Sequence, residues 1–267
     1  MTALPFGTFS PAFWQRGLLA AGCRMPVNGL GRRLGLWLRK PVLLAIGKNP
    51  VDVERLGFRM RLVPHDNVSE KRMLAMPQFF DSAELALLEK RICSGFQLVD
   101  IGANAGIYSL FAAARGAKVL AIEAQPEMQQ RLETNIGLNN FSSIHLAKCA
   151  VADREGEIEF HLSADNRGQA SLTRTGGEAL KVPCRPLLAL MDEAGITQPD
   201  ALKIDIEGAE DVVLGHFFRM APRQRWPKLL FMERNTTSWR EDIQATCRSL
   251  GYRDLAPGKM NVIMELG

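Results

Sequence analysis

A mostly parallel α/β sheet with helices on both faces is the fold class this sequence predicts, on three observations. Short apolar runs recur along the chain, with stretches of helical periodicity between them. One run, Leu98-Val99-Asp100-Ile101, enters a glycine turn from Gly102 to Gly106 of the kind that opens a helix. Near the end, Tyr252–Leu255 and Asn261–Leu266 are separated only by Ala256-Pro257-Gly258-Lys259-Met260. That gap is too short for a helical crossover, so the two runs pair antiparallel.

Residues 1–78 read as a basic extension and residues 79–267 as the main domain, with a boundary near 75–85. Within the extension, the stretch 31–47 places Leu34, Trp37 and Leu38 near Arg32, Arg33, Arg39 and Lys40, a short amphipathic helix that Pro41 should break. Phe58 to Leu62 belongs to a hairpin. Asp81 to Arg91 predicts a helix with Leu85, Leu88 and Ile92 on one face. After the glycine turn, Ile107, Leu110, Phe111 and Ala114 form the stripe of a helix closed by Gly116. Lys118–Ile122 is a second core strand, and Pro126 begins a helix carrying Met128, Leu132 and Ile136. Further strands are expected at His145–Val151, Asp200–Ile206 and Lys228–Glu233, with a helix over 208–219. Between the third and fourth strands, Glu157–Leu162 alternates as an edge strand does, and the polar loop Asp165–Ser171, with Arg167, has the character of a lid.

With 267 residues and 46% hydrophobic side chains, the chain can bury one full α/β core. Its five cysteines are odd in number, scattered and without C-x-x-C spacing, which argues against a disulfide framework or a zinc site and fits a reducing cytosol. No run of about 18 apolar residues is present, so no membrane-spanning helix is expected. The first residues carry no basic n-region, and the expected location is cytoplasmic. Charge is uneven: seven Lys/Arg and no acid through Val51, against 21 basic and 25 acidic residues after Ala75. A basic arm of this kind suits an anionic partner, and residues 1–50 are expected either to touch an anionic membrane peripherally, to pack over the cleft as a cap or to mediate dimerisation. Nucleic acid is the weaker expectation, and the oligomeric state is left open.

The glycine turn narrows the chemistry. A strand running into a tight glycine loop and a helix start makes a nucleotide-cofactor site, and Glu123, ending the next strand, stands where a carboxylate can accept the hydroxyls of a ribose. A dinucleotide fingerprint begun at Gly102 would need glycines at 104 and 107, where the chain has Asn104 and Ile107; a Walker A loop is absent too. What stands instead is D-x-G-x-N-x-G. A second acidic stretch, Lys203-Ile204-Asp205-Ile206-Glu207-Gly208-Ala209-Glu210, ends the fourth strand. Burying such carboxylates is costly unless each is paired, so they point to a polar cleft, while helix capping by Asp205 or Glu210 competes for the same residues. His216 falls on the inward stripe of its helix and reads as a core histidine.

These motifs, D-I-G-A-N-A-G-I-Y-S at 100–109, I-E-A-Q-P at 122–126, N-I-G-L-N at 135–139 and K-I-D-I-E-G-A-E at 203–210, together resemble the FkbM-type S-adenosylmethionine-dependent methyltransferases over residues 95–235. The resemblance implies a class I methyltransferase fold, Rossmann-like, with a seven-stranded mostly parallel sheet and a C-terminal antiparallel hairpin. It implies S-adenosyl-L-methionine as cofactor, held by Asp100, Gly102, Asn104, Gly106 and Glu123, with Asp205, Glu207 and Gly208 lining the methyl-transfer cleft. Asp205 and Glu207 are the candidate catalytic carboxylates, and although their oxygens would suit magnesium, adjacent carboxylates also suit a metal-free site and no metal is expected. Two departures stand out. Leu187 is followed by Leu188 where the family often has aspartate, and the second strand ends Ile122-Glu123-Ala124-Gln125-Pro126 rather than in Phe-Glu-Pro.

Methyl transfer from a sulfonium demands alignment, plus a base where the acceptor is a hydroxyl. Base-amino methyltransferases usually carry a Pro-Pro-aromatic stretch after the fourth strand, and Asp205-Ile206-Glu207-Gly208 occupies that place, which favours oxygen. The expected acceptor is a hydroxyl of a sugar, glycan or small metabolite. The alternatives are an RNA-modifying enzyme recruited by the basic arm and a cofactor-binding module without catalysis.

Overall fold

The computed structural model describes residues 4–162, 170–171, 179–206, 208–233, 239–257 and 261–267. Residues 165–169 of the polar loop, with Arg167, lie outside them, as does Glu207, whereas the loop's last two residues, Ala170–Ser171, form a short strand. The chain opens with two helices, α1 (Phe13–Cys23) and α2 (Gly29–Ile46), and a hairpin of β1 (Val51–Arg55) and β2 (Phe58–Leu62). Leu56 and Gly57 link the hairpin, both at positive φ (52° and 88°), the two-residue turn whose twist matches that of the strands. α2 runs through Pro41, against expectation. The proline sits on the exposed side, where water can take up the carbonyl it leaves without a donor, while Val42 and Ile46 beyond it remain buried and hold the helix to the body. The inward face differs from the predicted one as well. Gly31, Gly35, Val42 and Ile46 are buried, and Leu34 and Trp37 face outward.

After α3 (Val68–Ala75) and α4 (Ser82–Arg91), the repeating units begin: β3 (Gln97–Ile101), α5 (Ile107–Ala113), β4 (Lys118–Ile122), α6 (Pro126–Asn139) and β5 (Ile144–Ala147). The expected strand 145–151 is in fact two, because β6 (Ala150–Val151) leaves for a second sheet with β7 (Gly156–Leu162), β8 (Ala170–Ser171) and β9 (Ala179–Arg185). In that sheet β7 lies between β9 and β8, so it is not the edge strand its alternation suggested. Then come α7 (Leu187–Glu193), β10 (Ala201–Ile204), α8 (Glu210–Met220), β11 (Leu229–Glu233), α9 (Ile243–Ser249), β12 (Tyr252–Pro257) and β13 (Asn261–Leu266). The main sheet has seven strands in the order β12-β13-β11-β10-β3-β4-β5, parallel except for β13, which pairs antiparallel with both β11 and β12. The class I methyltransferase topology predicted from the sequence is the one observed.

Strand alternation divides the core. Leu98, Val119, Ala201 and Leu229 point to one face, packed by α5, the hairpin and the inward residues of α1 and α2. Val99, Leu120, Leu202 and Leu230 point to the other, packed by α7, α8 and α9. Because the N-terminal elements cover the first face, α5 is buried on all sides and not only along one stripe; Ala114, beyond its end, is exposed. The N-I-G-L-N segment explains how the hairpin is fastened. Asn135 and Asn139, one turn apart on α6, accept from the Arg61 and Arg59 backbone N–H groups (2.7 and 2.8 Å), and Asn139 donates to the Arg59 carbonyl. The edge of β2 is thereby satisfied by side chains of a helix.

Candidate active site

At the carboxyl ends of β3, β4, β10 and β11 lies a cavity of about 290 Å³. Its floor is the glycine turn. Gly102 takes φ +75°, and a Cβ there would stand 2.1 Å from the Asp205 carbonyl oxygen, so only glycine lets this loop lie against the one after β10. Gly106 (φ +94°) precedes α5 with Leu132 where a side chain would go. Asn104 (φ 53°) holds the turn between them: its backbone N–H donates to Glu123 (2.7 Å), its side-chain oxygen accepts from the Ala105 N–H (2.7 Å), and the Asn67 amide donates to that same oxygen (2.7 Å).

Glu123 follows β4 and is buried in the cavity wall. One carboxylate oxygen accepts from Asn104 and the other from the Gln125 backbone N–H (2.9 Å). Burial pushes its carboxyl above the usual range, and the backbone N–H groups of Gln125, Asn104 and Ala124 work against that. A carboxylate can accept about four hydrogen bonds in all, which leaves capacity for a ligand. Beside it Gln125, 3% exposed, presents an Nε2 with no hydrogen-bond partner among the described residues, a buried donor facing the cavity. A pocket with apolar walls from Ile101, Ile122, Met128 and Val151, a carboxylate and an unanswered amide donor fits an adenosine-bearing cofactor.

Asp100 is placed differently from expectation: fully buried beneath the turn and not in the cavity wall. Its Oδ2 accepts from Ser109 (2.6 Å), and its Oδ1 lies 3.7 Å from the Lys203 Nζ. Burial raises its carboxyl, and Lys203 and Ser109 oppose the rise. Lys203 sits opposite Asp100 in the register of β10 on β3, and two residues on, Asp205 reaches back to it (3.5 Å). The ammonium therefore bridges a buried and a half-exposed carboxylate, 5.0 Å over the Tyr108 ring, and these two anions hold its proton against the effect of burial. Asp205 lines the cavity and is the accessible member. Glu210 is neither exposed nor in the cavity wall. Its carboxylate accepts from the Ile206 and Gly208 backbone N–H groups and from the Trp239 indole, closing the loop at the start of α8. The helix-capping reading holds only in part: Glu210 sits in the first turn of α8, where its charge suits the helix dipole, but it ties down the preceding loop, and the N-cap, Ala209, has no side-chain cap.

Sequence reasoning passed over Lys203, although a lysine in an otherwise apolar central strand was the available signal. It also missed the outer wall, formed by Asn67, Ser69 and Arg72 of the α3 region together with Phe80 and Asp81. Tyr108 donates to Asp81 (3.1 Å) there. Arg131 of α6 anchors this wall through Asp66 (2.8 Å) and Glu70 (2.9 Å) and also pairs with Glu127 on its own helix (2.6 Å). Cys149 also lines the cavity, but burial pushes its thiol up to about 11, so it is protonated at neutral pH and no nucleophile. His216 is half-buried on α8 and does not line the cavity.

Among curated proteins, the chain is 28% identical over 162 residues to the AMB antimetabolite synthetase AmbE of Pseudomonas aeruginosa, a match covering 44% of this chain and 7% of that protein. It is 27% identical over 152 residues to the methyltransferase sdnD of Sordaria araneosa, covering 44% of this chain and 58% of that protein. The matches thus span less than two thirds of these relatives' lengths. Among solved structures, it is similar to the METTL16 MTase domain (14% identity, TM-score 0.48, 95% of this chain and 80% of that one). It is also similar to the human methyltransferase 10 domain containing protein (14% identity, TM-score 0.47, 91% and 98%). Likeness this distant says nothing about an acceptor. The family model for the methyltransferase FkbM domain matches residues 100–253, from Asp100 through the glycine turn and the acidic loop to the final strands, and by this match over more than half its length the chain belongs to the FkbM methyltransferase family.

Proposed function

We propose that the protein is an S-adenosylmethionine-dependent methyltransferase that methylates a hydroxyl group of a glycan or small metabolite. The observation that carries this reading is the position of Asp205: an accessible carboxylate in the same cavity wall as Glu123 and Gln125, held by Lys203. S-adenosylmethionine would supply an electrophilic methyl on a sulfonium that departs as a neutral thioether. What remains for the chain is to bind, to orient and to receive a proton. Glu123 and Gln125 offer an acceptor and a donor to the ribose and adenine, and the turn from Gly102 to Gly106 supports the methionine side. Asp205 takes the proton of the acceptor hydroxyl as its oxygen bonds to the methyl carbon. Lys203 acts through Asp205 as a positioning residue. Glu207, two residues further on, is the second candidate base.

The outer wall supplies Ser69, Arg72 and Asp81, hydrogen-bonding groups suited to a polyhydroxylated acceptor. The test is incubation with methyl-labelled S-adenosylmethionine and separated polysaccharide, small-metabolite, lipid and RNA fractions. Label in the polysaccharide or metabolite fraction is expected. Label in RNA alone overturns the acceptor assignment, and failure of the protein to bind S-adenosylhomocysteine overturns the enzyme assignment.

A further inference from the structure

We propose that the helical pair α1–α2 is a peripheral docking surface for an anionic lipid bilayer. α2 carries two apolar faces. At about 100° per residue, Leu30, Leu34, Trp37, Pro41 and Leu44 fall within an arc of about 80°. All five are exposed, Trp37 and Leu44 each by 74%. The other face, with Gly35, Val42 and Ile46, is the one spent on the protein body. Gly35 allows that packing by close approach, since a Cβ there would meet the Met76 sulfur at 2.2 Å. The outward stripe is therefore not the helix's own core side left uncovered. In α1, Phe13 is exposed by 86% and Trp14 is half-exposed. Large exposed apolar side chains concentrate in residues 4–44 and are rare elsewhere among the described residues.

Charge complementarity selects the occupant. Arg33 and Lys40, both exposed, border the stripe along one edge, and Arg32 is exposed farther round the helix. The arm holds seven cations and no anion, and the first acid after it, Asp52, is buried under Arg61. A protein partner would be expected to show more mixed charge, and a nucleic acid has no use for a leucine stripe of this width. Apolar side chains flanked by cations are what an interfacial helix presents to headgroups and acyl chains. No helix among the described residues is long and apolar enough to cross a membrane, so the contact is peripheral. The inference is independent of the methyl-transfer reading, and its test uses no enzymatic activity.

The experiment is cosedimentation of the full chain with vesicles of equimolar phosphatidylcholine and phosphatidylglycerol, and with phosphatidylcholine alone, at low and high salt. Each engaged cation should multiply the partition about fivefold at low salt. Binding to the anionic vesicles, weakened by salt, is expected. Changing Leu30, Leu34, Trp37 and Leu44 together to serine should reduce it at least about 100-fold, since each large side chain withdrawn from lipid contributes about tenfold. These positions are exposed, so the melting curve of the variant should match the parent. A second readout does not depend on that variant: brominated lipid should quench tryptophan emission in the full chain, and changing Trp14 and Trp37, the two exposed tryptophans of the surface, to serine should remove most of the quenching. The proposal is overturned if the full chain stays in the supernatant with anionic vesicles, if the serine variant binds as well as the parent, or if the stripe instead supports a stable dimer or RNA complex that excludes vesicles.

Discussion

Replacing Lys203 by methionine keeps the length and apolar stem of the side chain and removes only its charge, which isolates the role of the ammonium between Asp100 and Asp205. Breaking a buried pair by removing one partner costs about 3–5 kcal/mol when the other must stay charged. Asp100 can escape part of that by taking a proton, so the cost depends on pH. Burial already holds the Asp100 carboxyl above its ordinary value, and a carboxyl raised in the folded state contributes most below its unfolded value and loses stability as pH rises through the folded one. Without Lys203 the folded value moves higher still. The additional loss in Lys203→Met should therefore be small at acid pH, where Asp100 carries a proton, and grow by up to about 1.4 kcal/mol per pH unit as that carboxyl ionises, to the ceiling set by the buried charge. Asp205 adds little to this, because solvent reaches it. Urea unfolding at pH 5 and pH 8 measures the difference. Asp100→Asn in the same background keeps an acceptor for Ser109 and should abolish the pH dependence. Equal destabilisation at both pH values, or no relief from the second change, would refute the account.

Glu123→Ala should weaken S-adenosylhomocysteine binding by about 10- to 150-fold, the loss of one charged hydrogen-bond partner, as measured by calorimetry; unchanged affinity would remove Glu123 from the cofactor wall. Asp205→Asn should leave that affinity within a few-fold and lower turnover by about 100-fold or more. Full activity would shift the role to Glu207. Although burial works the other way, hydrogen bonds from the Arg61 side chain and the Phe9 and Gly7 backbone hold the Asp52 carboxyl below its ordinary value. The stability it contributes is present above the ordinary range and is lost as pH falls through the lowered value. Asp52→Asn should therefore cost about 1.5–3 kcal/mol at neutral pH, and little once the parent's own carboxyl has been protonated, seen as faster amide exchange at Gly7 and Phe9.

Which parts of this were legible in the sequence follows from where the information sits. The strands β3, β4, β10 and β11 are buried on both faces and so read as continuous apolar runs, and their order with the terminal hairpin was enough for the topology. The glycine turn and Glu123 were legible because local backbone chemistry demands those residue types. Pro41 misled because a proline's effect on a helix depends on which side faces water, and α5 misled because its cover comes from residues far away in the chain. Leu187, where the expected aspartate is missing beside it, opens a helix with no side-chain cap, as its neighbour Leu188 implied. Asp100 was assigned to the ligand by motif, yet its partners are Ser109 and Lys203, a pairing that only the register of β3 against β10 brings about.

The outer wall of the cavity lies outside the region shared with the family. The family match begins at Asp100, whereas Asn67, Ser69, Arg72 and Asp81 precede it. Asn67 is no passive neighbour: it caps α3 by accepting from the Glu70 N–H, and its amide holds the Asn104 side chain that sets the glycine turn. Arg131, inside the matched region, needs Asp66 and Glu70, outside it, to balance its buried charge. The side chains shared with the family and those that complete the pocket are thus one hydrogen-bonded unit. A fragment of the matched residues alone would leave α5 uncovered, the edge-binding Asn135 and Asn139 without β2, and the Arg131 guanidinium without two of its three carboxylates.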